Sequence, residues 1–243
     1  MGKPYNAGIA AANGVEAAKL AGLGFVSCDD GVFGAQGFVE THSDVHDQDG
    51  PWTGMPPKAF VFEDVKYKLH ACCHGTHAMI DAMRSVLEVH PVEPENVAGV
   101  TLRVNPRWLQ VCDKKAPRTG LEVKFSYAWL AGMVVSDIDT SAEVTFTDAL
   151  CTDPKLAEFA KRVFVSGAPE VPDTAAIGTI EMMDGRKIKF SHDLAACTEN
   201  SKIETGLRTK ASNLIGVSAA NSLWSTISDL DNISAQQLAK FLC

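Results

Sequence analysis

Residues 66–89, KYKLHACCHGTHAMIDAMRSVLEV, carry two signals from which the rest of the chain can be read. Thr76 to Val89 sets Met79, Ile80, Met83, Val86 and Leu87 on one face and Asp81, Arg84, Ser85 and Glu88 on the other, which predicts an amphipathic helix ending before Pro91. Around the start of that helix gather Lys66, Lys68, His70, Cys72, Cys73, His74 and His77, the densest polar cluster in the chain.

Downstream, Val100, Leu102 and Val104 alternate with Thr101, Arg103 and Asn105, a half-buried strand stopped by Pro106. A helix is predicted over Ser126 to Val135, and another after Asp153, which can cap a helix whose first residue is Pro154. Ile180 and Met182, then Ile188 and Phe190, flank Asp184-Gly185, a dipeptide suited to the positive backbone angles of a tight hairpin. Upstream, Ala7 to Leu23 is Ala-rich with loosely helical apolar spacing, predicting one or two tightly packed helices. Ser27 to Pro57, rich in Gly and Asp, reads as a long loop with one short helix. The tail is helical over Ala211 to Ile227, and Ser234 with Gln237 forms a capping box for a last short helix. The expected class is α+β, with helical segments at 1–63 and 196–243 around a mixed α+β block at 64–195.

The 243 residues are 46% hydrophobic and 21% charged, the composition of a globular chain able to bury a core. The net charge of -8, with no Lys/Arg cluster to neutralise phosphates, argues against nucleic-acid partners and leaves any anionic ligand dependent on a few local cations. No apolar run is long enough for a bilayer and no signal segment opens the chain, so no membrane association and a cytoplasmic location are expected. Seven cysteines, an odd and scattered number, predict reduced thiols.

Several chemistries fit the cluster at 66–77. His74 and His77 can meet on one helical turn as metal ligands, but the spacing of a closed zinc site is absent, and no metal is expected. Cys72 or Cys73 can be a thiol nucleophile favoured by Lys, His and a helix start. Lys68 and the first amides of the helix can hold a carboxylate. The alternative to all three is buried cysteines beside surface histidines. A second knot, His42, Asp44, His46, Asp47 and Asp49, reads as a solvated loop.

Three stretches then resemble the MmgE/PrpD family. Lys3-Pro4-Tyr5-Asn6-Ala7-Gly8, continued through Asn13-Gly14 and Ala17-Ala18 to Leu20-Ala21, is similar to the family's K-P-x-H-x-G-x-A-A-x-x-G-x-x-A-A-x-L-A signature. Lys68 to Cys73, Thr76-His77 and Asp81-Ala82 resemble K-x-x-x-x-C-x-x-T-H-x-x-x-D-A, and Lys124-Phe125-Ser126 resembles the F-S pair that opens an apolar helix. Asn6 departs from the family's usual His and Trp129 from a common Tyr, whereas Cys73 is the commoner choice.

The resemblance implies a large all-helical domain interrupted by a smaller α+β domain, with the site between them. It implies a cofactor-free lyase, a dehydratase or decarboxylase, acting on a small di- or tricarboxylate. Lys68 and Cys73 stand at catalytic positions, with Lys68 also a ligand of a substrate carboxylate; Lys3, Asn6 and Trp129 stand at substrate-binding positions. Family chains are longer, so this one is expected to correspond to a carboxyl-terminal half. It is then completed by an amino-terminal half that supplies acidic and histidine groups, or assembled as a homodimer. Epimerisation of a small dicarboxylate, and a non-catalytic partner subunit, are the alternatives.

Overall fold

The computed structural model describes residues 2–44, 65–196 and 198–241, with only the backbone of Lys3. The chain divides into two compact units, Met1–Asp64 and Val65–Cys243. In the first, α1 (Gly2–Gly22) is one continuous helix whose described side chains are all exposed, so no tight packing partner for it lies among the described residues of that unit. It ends in a Schellman motif: Gly24 takes φ +83, the Phe25 amide reaches the Leu20 carbonyl at 3.0 Å, and the Gly24 amide reaches that of Ala21 at 3.0 Å. A short α2 (Phe38–His42) follows in the expected loop.

The second unit is built around α3 (His77–Val89), β1 (Val97–Val104) and α6 (Tyr127–Val135), between which stand the short helices α4 (Pro106–Cys112) and α5 (Gly120–Val123). After α7 (Pro154–Ala160) come β2 (Val163–Gly167), β3 (Ala175–Met182) and β4 (Lys187–Asp193). The sheet order is β2-β1-β3-β4, with β2 parallel to β1 and the other pairs antiparallel. Val100 aligns with Val163 on one side and Ile180 on the other, so alternate residues of three strands point to one face. That face packs on α3 and α6, burying Val97, Leu102, Val104, Ile180 and Phe190, while Thr101, Arg103, Phe164 and Lys189 remain on the open side. All nine residues of α6 are buried, as a helix sandwiched between the sheet, α3 and α7 requires.

Local signals set the helix starts. The Asp153 side chain accepts from the Lys155 and Leu156 amides, Ser126 accepts from Trp129, and the Ser234–Gln237 capping box opens α10 (Ala235–Ala239). The hairpin differs from expectation in detail. Only Gly185 has positive φ, at +85, and the Asp184 carboxylate accepts the Arg186 amide at 2.9 Å, so the turn is a type I turn with a glycine bulge. The helix expected over Ala211–Ile227 is two, α8 (Asn200–Ile215) and α9 (Val217–Ser228), because Gly216 at φ +84 turns the chain between them. No helix among the described residues is long and apolar enough to cross a membrane.

Candidate functional site

The polar segment 65–73 is irregular chain that enters α3 through a single 3-10 turn, His74–Thr76. Backbone bonds fasten it to its surroundings: Ala71 N–H donates to the Thr140 carbonyl at 2.8 Å, and Cys73 N–H to that of Lys124 at 3.0 Å. The Cys73 carbonyl accepts the Thr76 hydroxyl at 2.7 Å, closing the turn. The Tyr127 hydroxyl, from α6, donates to the Gly75 carbonyl at 2.7 Å. Gly75 lies so close to Trp108 that a Cβ there would come within 2.5 Å of the indole ring.

Behind this segment sits a buried histidine network. His70 Nε2 is 2.8 Å from Asp81 Oδ1, and its Nδ1 is 2.8 Å from the Thr140 hydroxyl. An ionised carboxylate can only accept, so in the neutral ring Nε2 carries the proton and Nδ1 accepts from Thr140. Burial acts to raise the Asp81 pKa. The His70 hydrogen bond and the charges of His70, His192 and His77 outweigh it and leave that pKa below the usual carboxylate value. The His77 ring meets His70 edge-on at 5.1 Å and His74 at 5.5 Å, and its buried Nε2 has no hydrogen-bond partner among the described residues. Burial, then the neighbouring His70 and His74, hold the His77 pKa down to about 3. Partial burial and Lys68 lower that of His74.

These contacts revise three sequence readings. His70 and His77 are interior rather than surface histidines. Cys72 is not an activated nucleophile: it is 5% exposed, 3.1 Å from the Thr76 hydroxyl, and burial pushes its thiol up to about 11. The first turn of α3 is interior too, with Thr76, His77, Ala78 and Met79 at 3% exposure or less, so its amides are not offered to a solvent-borne carboxylate. The exposed positive charge here is the side chain of Lys68. Among the described residues it forms no ion pair, and no group of three or more His, Cys, Asp or Glu converges as metal donors.

Cys73 is half-buried at the same turn and packs against the core. Trp129 lies within α6 at 5% exposure, as part of that core. Asn6 is exposed on α1 in the first unit, and the side chain of Lys3 lies outside the description. In the second knot, His42 Nδ1 lies 2.9 Å from both the Phe38 carbonyl and the Thr41 hydroxyl, while His46, Asp47 and Asp49 lie outside the described residues.

The sequence reading missed Lys210, whose ammonium donates to the Lys68 carbonyl from α8. The spacing of Ile203, Gly206, Lys210 and Asn213, which puts all four on one helical face, was the available signal. A separate cleft of about 670 Å³ is lined by Glu93, Glu95, Asp137, Lys155, Glu158 and Arg162 among others. It shares no residue with the cluster, and acids outnumber bases on its walls, so it suits an anionic ligand less well than Lys68 does.

The MmgE/PrpD C-terminal domain family model matches residues 70–205, beginning just past Lys68 and stopping short of Lys210. No curated protein matches the chain.

Proposed function

The chain belongs to the MmgE/PrpD family, matched over more than half its length, and from that membership we propose that it is part of a cofactor-free lyase acting on a small di- or tricarboxylate. The observation that carries this reading is the exposed Lys68 ammonium, which among the described residues has no carboxylate partner and lies beside a cluster of histidines and thiols. Removal of a proton alpha to a carboxylate builds negative charge on that carboxylate, and a cation held against it lowers the cost. Lys68 fills that role, with Lys3 as a second cation and Asn6 and Trp129 as further substrate-binding positions. Cys73 stands beside the reacting atoms. The base comes from an amino-terminal half, supplied by another segment or subunit, and the working unit is a homodimer or that complex in the cytoplasm.

Epimerisation uses the same proton abstraction without expelling a group. A non-catalytic partner subunit is the further reading, favoured by Asn6, which cannot titrate, and by Trp129, which carries no phenolic hydroxyl. The chain, alone and with a helical amino-terminal half of the family, should be incubated with hydroxy-tricarboxylates and with a chiral dicarboxylate in D2O and followed by proton NMR. A lyase gives an alkene product, lost with Lys68→Ala. An epimerase gives deuterium at the alpha carbon and no alkene. With neither signal in any combination, the catalytic reading fails.

A further inference from the structure

The inner face of α8 is docked on the segment that carries Lys68. Gly206 lies against Leu69, where a Cβ would come within 2.9 Å of the leucine Cδ1. Asn213 Nδ2 donates to the Ser141 hydroxyl at 3.1 Å, and between these two points the Lys210 ammonium donates to the Lys68 carbonyl. The other cations of α8 are used differently. Arg208 pairs with Glu204 and lies over the Trp224 ring, 4.1 Å from its centroid, and Lys202 is exposed.

Two ammonium groups are thus carried on one small piece of backbone, Lys68 by its own Cα and Lys210 through the Lys68 carbonyl. Neither forms an ion pair with a carboxylate among the described residues, and two acids that interact with the cluster's histidines are already paired. Asp81 is held by His70 at 2.8 Å and Asp173 by Arg107 at 2.5 Å. Partial burial and the Lys68 charge both lower the Lys210 pKa, the signature of like charges sharing a site. Two uncompensated cations brought together cost free energy, and a bound dianion recovers it. An ammonium has three donors, and one is spent on the Lys68 carbonyl, so two remain for a ligand.

We propose that Lys210 is a further carboxylate-binding residue of the site, and that the Lys68–Lys210 pair selects di- and tricarboxylates over monocarboxylates. The inference rests on the reading of Lys68 as a carboxylate ligand, and it adds a residue from the returning helix as the determinant of how many carboxylates the ligand must carry.

The test is a titration of the full chain with citrate and with acetate, followed by calorimetry and by the NMR signals of the lysine side chains. Wild type is expected to prefer citrate. Lys210→Gln, which keeps a donor for the Lys68 carbonyl but removes the charge, is expected to lose about tenfold or more of the citrate affinity and little of the acetate affinity. Lys210→Arg should recover much of it, and Lys202→Gln should bind as wild type. Unchanged citrate binding by Lys210→Gln makes Lys210 a backbone tether only and overturns the inference, as does a wild type whose Lys68 and Lys210 signals ignore citrate. A Lys68→Gln variant separates the two claims. If it loses citrate while Lys210→Gln does not, only this inference falls; if it binds fully while Lys210→Gln does not, the role given to Lys68 falls and the selective pair with it, leaving Lys210 as a lone carboxylate ligand.

Discussion

The two sides of the polar cluster obey different physics. On the inner side, His70, Thr76, His77 and Thr140 are buried; the side chains of His70, Thr76 and Thr140 are hydrogen-bonded there, and His77 Nε2 has no partner among the described residues. On the outer side, Lys68 is exposed and Lys210 half-exposed, with donors to spare. Buried polar groups must be satisfied within the chain or cost about 1–3 kcal/mol each, whereas exposed cations are free to meet a ligand at little cost to the fold. The inner side therefore holds the structure, and the outer side is where binding energy is available.

This contrast predicts a graded series of effects on stability. Met83→Ala, which empties a fully buried position of α3 against the sheet, should cost about 2–5 kcal/mol in denaturant unfolding. An effect near zero would show that the interior is loosely packed and erase the contrast. Acid should come next. Burial holds the His77 pKa down to about 3 against the ordinary imidazole value of 6.5, so between those values the unfolded chain takes up a proton that the native one refuses. Stability is thus lost progressively as pH falls from about 6.5 toward 3, by on the order of a few kcal/mol. The Asp81 contribution is present above the ordinary carboxylate value and disappears as pH falls through its lower folded value, which steepens the acid end. His77→Phe, which removes an unpartnered nitrogen, should flatten this limb; an unaltered pH profile would place the acid sensitivity elsewhere. Gly75→Ala drives a methyl into the Trp108 ring and should cost about 1–3 kcal/mol in thermal unfolding. Lys68→Ala should shift stability least, within about 0.5 kcal/mol. A larger loss would make Lys68 part of the scaffold.

What the sequence revealed about this arrangement follows the range of the interactions. The starts of α6, α7 and α10 were legible because Ser126, Asp153 and Ser234 bond to amides within three residues. The helical face of α3 was legible because the apolar residues repeat with the helix itself. β2 was not, since Val163–Gly167 becomes a strand only by pairing in parallel with β1, more than fifty residues upstream. The His70–Thr140 bond spans 70 positions and that from Lys210 to Lys68 spans 142; helical spacing puts Lys210 on one face with Gly206 and Asn213, but no local pattern names the distant partner in either bond. Cys72 misled for a related reason: a thiol beside Lys and His looks activated until its burial is known, and burial reverses the sign. For the candidate site, sequence pointed to Lys68 and Cys73, while tertiary contact brought in Lys210 and the histidine network.

The most direct test of the account compares citrate affinity in wild type, Lys68→Ala and Lys66→Ala, two lysines separated by a single residue. If Lys68 is the cation that meets a carboxylate, Lys68→Ala should weaken binding by about 2 kcal/mol or more at unchanged melting temperature, and Lys66→Ala by far less. Equal losses in the two variants, or a Lys68→Ala protein that simply unfolds, would contradict it.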